Sequence, residues 1–186
     1  MLRIKTVADT LTVLRVFLAL WIFWLGITAG PSALPTVVTL LMLCWATDLL
    51  DGPLARRDPA RQQTWIGDHD LEADLAVALG VLGYLSASGY VTPATAMGYV
   101  VLGGLLMWYY RSPQLGWALQ APPYSGMLYV ALRDGLRHGL WAVGWIAFTV
   151  VVTWPRFPKE TIPAFLRGIR ELGVPQKPLD QNRNSQ

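Results

Sequence analysis

Cysteine is almost absent from this chain: its 186 residues include one, Cys44, so no intrachain disulfide holds the fold. Charge is scarce too. Asp, Glu, Lys and Arg make up 15% of the residues, hydrophobic residues 53%, and mean hydropathy is +0.37, too apolar for an ordinary water-soluble domain. Long basic runs interleaved with aromatics are missing and the net charge is only +3, which leaves nucleic-acid binding without support. Histidine occurs only as His69 and His138, which have no metal-ligand spacing. No internal repeat of useful length is visible.

What the chain does have is apolar length. Six stretches stand out, about Leu11 to Ala29, Leu34 to Ala46, Leu71 to Ser88, Ala94 to Tyr110, Trp117 to Leu132 and Leu140 to Trp154. Turn-formers separate them: Gly30-Pro31, Gly52-Pro53, Gly89 with Pro93, Pro113, and Gly135 with Gly139. Several are shorter than the ~20 residues that cross hydrocarbon alone. The second and third reach that length only if their helices also carry Asp48, Asp51, Asp70 and Asp74, which sets those acids near one membrane face. Nine Trp and seven Tyr suit a membrane–water boundary. Pro122-Pro123 would break or bend the fifth stretch. Charge nevertheless favours counting it as a span. With six spans and a cytoplasmic N-terminus, only Arg133 and Arg137 of the 15 Lys and Arg lie outside, whereas five spans would carry the basic tail outside.

The expectation is therefore an all-α, polytopic membrane protein with six transmembrane helices over 1–155 and both termini cytoplasmic. The opening apolar run is read as a retained span, because Arg15 interrupts it and it is long for a signal peptide. Residues 156–173 read as a short amphipathic interfacial helix, with Phe165, Leu166, Ile169 and Leu172 on one face and Arg167, Arg170 and Glu171 on the other. Residues 174–186 have little to bury and read as a disordered tail.

The chemistry-bearing stretch runs from Asp48 to Asp74. On helices, Asp48 with Asp51 and Asp70 with Asp74 each share a face, so two helices joined by a short loop can aim four carboxylates at one point. Ionised acids near hydrocarbon need compensation. Two divalent cations neutralise four carboxylates, and an oxygen-only donor set selects hard ions, Mg²⁺ or Mn²⁺. Paired ions of this kind suit phosphoryl chemistry. Gly52 and Ala55 leave room for a base or sugar to approach the helix, and Arg56 can fork onto phosphate oxygens. Asp74, last of the four, is the candidate general base for an incoming hydroxyl. Asp68 and Glu72 form a competing pair with the same spacing. Arg111 either holds an acceptor phosphate or is a snorkelling anchor.

These residues resemble the signature of the CDP-alcohol phosphotransferases, Asp-x2-Asp-Gly-x2-Ala-Arg-x8-Gly-x3-Asp-x3-Asp. The first half matches at Asp48, Asp51, Gly52, Ala55 and Arg56, the close at Asp70 and Asp74, and Leu11-Thr12-Val13-Leu14-Arg15 looks like the usual opening of the family's first helix. One departure is present: thirteen residues separate Arg56 from Asp70 where the family has twelve. A gap-free alignment would put His69 and Ala73 in the acid positions. An extra loop residue, which leaves Asp-x3-Asp intact, is the simpler reading.

The resemblance implies six spanning helices and a homodimer. It also implies metal bound by Asp48, Asp51 and Asp70, with Asp74 shared between metal and base duty, and CDP held by Gly52, Ala55 and Arg56. The expected reaction moves a phosphate-linked, phosphatidyl group from a CDP-alcohol such as CDP-diacylglycerol to an acceptor alcohol in phospholipid biosynthesis, releasing CMP at the cytoplasmic face of the cell membrane. Two rivals come from other classes: an integral-membrane prenyltransferase using Mg-pyrophosphate, and a noncatalytic membrane scaffold.

Overall fold

The computed structural model describes residues 4–56 and 70–154, together with 159, 163 and 165–167; at 4–8, 48 and 50–56 it describes the backbone alone. Six α-helices follow one another: α1 (Ile4–Thr28), α2 (Leu34–Arg56), α3 (Asp70–Ala87), α4 (Pro93–Tyr110), α5 (Pro113–Asp134) and α6 (Leu136–Val152). A 3₁₀ turn, Gly30–Ala33, joins α1 to α2. Each of the six apolar stretches lies within a helix or ends at most two residues beyond one. As the short apolar lengths required, α2 extends through Asp48 and Asp51 and α3 begins at Asp70.

Proline placement explains several helix starts. Pro93 and Pro113 occupy the first turns of α4 and α5, where a missing N–H costs nothing. Thr92 caps α4 by accepting a hydrogen bond from the Thr95 N–H at 3.2 Å. Two proline motifs do not end their helices, because α2 continues through Gly52-Pro53, read as a separator, and α5 through Pro122-Pro123. In α5 the carbonyl of Leu119, four residues before Pro123, loses its helical donor. The Tyr99 hydroxyl of α4 donates to that carbonyl instead. A helix interrupted by proline thus gains a tie to its neighbour, as neighbouring groups commonly provide in bilayer-spanning helices.

The buried core is built from α1, α2, α3 and α5 with Ala142 of α6, and has Ile22, Val37, Val77, Val81, Leu85 and Met127 at its centre. Helices α1 and α3 run parallel along the longest contact in the molecule, Ala19 beside Gly80, Phe23 beside Gly83 and Gly26 beside Tyr84. A Cβ on Gly80 would stand 2.5 Å from the Ala19 carbonyl oxygen, and one on Gly26 would stand 2.8 Å from the Tyr84 Cα. Small residues let the two backbones approach this closely. Among the described residues α1 packs on both α2 and α3, while those two scarcely touch each other. Among the described residues the acid-bearing helices are thus bridged by α1, which takes the glycine face of α3.

Outward faces are strongly apolar. Phe17, Trp24, Leu102, Trp108, Trp141 and Val151 each stand more than half exposed. Contiguous surface of this kind suits hydrocarbon better than water. Two helical windows, Asp9–Thr28 and Gly30–Thr47, are long and apolar enough to cross a membrane, and α6 is apolar but shorter. Just before the α5–α6 turn, Arg133 in the last turn of α5 forks onto Asp134 and lies over the rings of Tyr90 and Tyr129. Within 156–173, Lys159, Pro163 and residues 165–167 are described, all in helical conformation; the rest of that segment and the 174–186 tail lie outside the described residues.

Gly80→Ala should lower stability by about 1–3 kcal/mol, as overpacking does, because the new methyl meets backbone. Gly98→Ala on α4, where a Cβ meets nothing, should be neutral or raise stability by up to ~1 kcal/mol. Thermal unfolding of both variants in detergent checks the contrast.

Candidate active site at the start of helix α3

Asp70 and Asp74 stand one helical turn apart at the start of α3 and converge, as their spacing predicted. They converge on a residue the sequence had not placed in the site. Arg15 of α1 reaches both, donating from Nη2 to Asp70 Oδ1 and from Nη1 to Asp74 Oδ1. Thr12, one turn earlier on α1, donates to the same Asp70 oxygen at 3.4 Å and accepts from Arg15 Nη2 at 3.4 Å. The cation is sunk while the anions are open: the side chain of Arg15 is 1% exposed, Asp70 43% and Asp74 23%. The guanidinium forms the floor of the site and the two carboxylates its wall.

Behind the pair, the Tyr124 hydroxyl of α5 donates to the Asp74 carbonyl at 3.4 Å, and its ring packs edge-on against Trp45 of α2, centroids 5.5 Å apart. Tyr124 follows directly on the Pro122-Pro123 pair and ties α2, α3 and α5 together immediately behind the acids. The sequence held one usable signal for Arg15, a charged residue within an apolar run, which calls for a named partner. It held none for Tyr124.

The other proposed site residues are placed by backbone alone or not at all. Asp48, Asp51, Gly52, Ala55 and Arg56 lie on the last turns of α2, and their side chains are outside the described residues. Asp68, His69, Gly67 and the loop with the extra residue are also outside them. Glu72 is exposed and does not share the helical face of Asp70 and Asp74. Arg111 stands exposed at the end of α4 in a left-handed backbone conformation, φ 48°, its N–H bonded to the Met107 carbonyl.

Among the described residues, no group of three or more potential ligands gathers. The pair that does gather fits a hard divalent ion by its chemistry, since both members are carboxylates and both are reachable from outside. Two apolar grooves flank α3. One of about 270 Å³ lies between α3, α4 and α5 and is lined by Leu75, Leu79, Tyr99, Gly103, Met107 and Leu119 among others. The second, about 290 Å³, lies between α1 and α3 beside Val16, Leu20, Phe23 and Leu79. The Leu79 side chain is the ridge between them.

The pairing predicts non-additive stability. Asp70→Asn with Asp74→Asn takes both α3 carboxylates from the buried guanidinium, and stability should fall by about 1.5–3 kcal/mol. Adding Arg15→Met to that double variant should restore part of the loss, read as melting temperature in detergent without divalent ions.

Compared with known proteins, the chain matches the family model described as CDP-alcohol phosphatidyltransferase over residues 5–153. No curated protein and no solved structure matches it.

Proposed function

The chain belongs to the CDP-alcohol phosphatidyltransferase family, and from that premise we propose that it transfers a phosphatidyl group from CDP-diacylglycerol to a small polar alcohol at the cytoplasmic membrane face, releasing CMP. The convergence of Asp70 and Asp74 carries the reading, because it supports the alignment with one extra loop residue. In the gap-free alternative His69 and Ala73 would take the acid positions, and Ala73 is a buried core residue.

In this reading Asp48, Asp51, Asp70 and Asp74 hold two Mg²⁺ or Mn²⁺ ions, which when bound supply charge neutralisation for a pyrophosphate and its leaving group. Gly52 and Ala55 leave room for the cytidine, and Arg56 takes the pyrophosphate oxygens in a fork. Asp74 accepts the proton of the acceptor hydroxyl. The hydroxyl oxygen bonds to the phosphorus that carries the lipid, and the bond from that phosphorus to the bridging oxygen breaks, releasing CMP. The two grooves flanking Leu79 suit acyl chains: they are apolar, open laterally, and lie just below the ~300 Å³ of a compact small-molecule pocket.

All six helices span the bilayer, with the acids and both termini at the cytoplasmic face. The 1–155 bundle is the catalytic domain, the 156–173 segment lies in the interface, and a basic rim faces anionic lipid. The protein works as a homodimer, and Arg111 contributes to the acceptor side. Family membership disfavours the prenyltransferase and scaffold readings.

A CMP-release assay with CDP-diacylglycerol, Mn²⁺ or Mg²⁺ and a panel of glycerol phosphate, inositol phosphate, inositol and serine tests the reading. CMP release is expected with one acceptor and should stop on chelation. Asp74→Asn should abolish turnover while largely preserving donor binding. Release of pyrophosphate instead of CMP, or activity indifferent to chelators, overturns the proposal.

A further inference from the structure

The charge count of the site changes once Arg15 is included. Four carboxylates balance two divalent ions, and a buried guanidinium on two of those carboxylates leaves the loaded site one positive charge in excess. Arg15 also cannot retreat to water. It lies beneath the pair, 1% exposed, with α1 locked against α3 by the glycine contacts at Gly80 and Gly26. Arginine does not shed its charge in proteins.

We infer that Arg15 is a resident cation of the site, a positioning residue with two effects: it keeps Asp70 and Asp74 together when no ion is bound, and it holds their ion affinity down. The first effect follows from geometry. One planar fork reaches two carboxylates on successive turns and fixes both side chains before any ion arrives. The second follows from like-charge repulsion between the guanidinium and any ion that would be held by the same two carboxylates, since charges partly withdrawn from water are little screened by salt. The inference rests on the proposed metal role of Asp70 and Asp74.

Mn²⁺ titration calorimetry and melting temperature on the full chain in detergent, with and without Mn²⁺, test it in Arg15→Gln and Arg15→Lys. Arg15→Gln should melt lower than wild type without Mn²⁺ and bind Mn²⁺ about tenfold more tightly, equivalent to ~1.4 kcal/mol, so that saturating ion closes much of the melting gap. Arg15→Lys keeps the charge but loses the fork, and should fall between the two in both measurements. An unchanged melting deficit with and without Mn²⁺, or weaker Mn²⁺ binding in Arg15→Gln, overturns the inference. If Arg15→Gln cannot be recovered folded, Arg15→Lys decides, and affinity no higher than wild type refutes it. Wild type that binds no Mn²⁺ overturns the metal reading as well, which separates the two failures.

Discussion

A guanidinium with only 1% of its side chain exposed must meet negative charge, and the position of Arg15 therefore dictates where the start of α3 lies. Burying such an ion costs several kcal/mol unless its hydrogen bonds are met. Asp70, Asp74 and Thr12 accept from Nη1 and Nη2 only if α1 and α3 lie close and in register. The glycines at 26 and 80 make that distance attainable. Packing and electrostatics thus constrain the same pair of helices, and the open side of the acid pair is what remains for chemistry.

Around that pair the bundle is unevenly built. Core side chains come from α1, α2, α3 and α5 with Ala142 of α6, whereas Gly103 is the one buried residue described on α4. The tie from the Tyr99 hydroxyl to the Leu119 carbonyl gives α4 a directional attachment, and a groove lies beside it. A proline that would weaken an isolated helix here exposes an acceptor that holds a second one.

Much of this was legible in the sequence. Apolar length separated by Gly and Pro located all six helices, and the need for more length carried α2 past Asp48 and started α3 at Asp70. The spacing of Asp70 and Asp74 predicted their shared face. Less legible was anything decided between helices. Pro53 was read as a separator because propensity is local, yet α2 continues through it, while α5 continues through 122–123 as its counting as one stretch required. Arg15 was visible as an interruption, but its partners are 55 and 59 residues away and no spacing rule links them. That α1 would sit between the acid-bearing helices depended on the glycine face of α3, whose partner only the three-dimensional structure supplies.

The separation between Arg15 and Asp70 also has a temporal side. A chain made from its N-terminus delivers α1 to the bilayer 55 residues before Asp70 exists. At translation rates of ~5–20 residues per second, that is roughly 3–11 seconds. Over that interval the arginine lacks the two carboxylates of α3, so its final surroundings form only when α3 arrives.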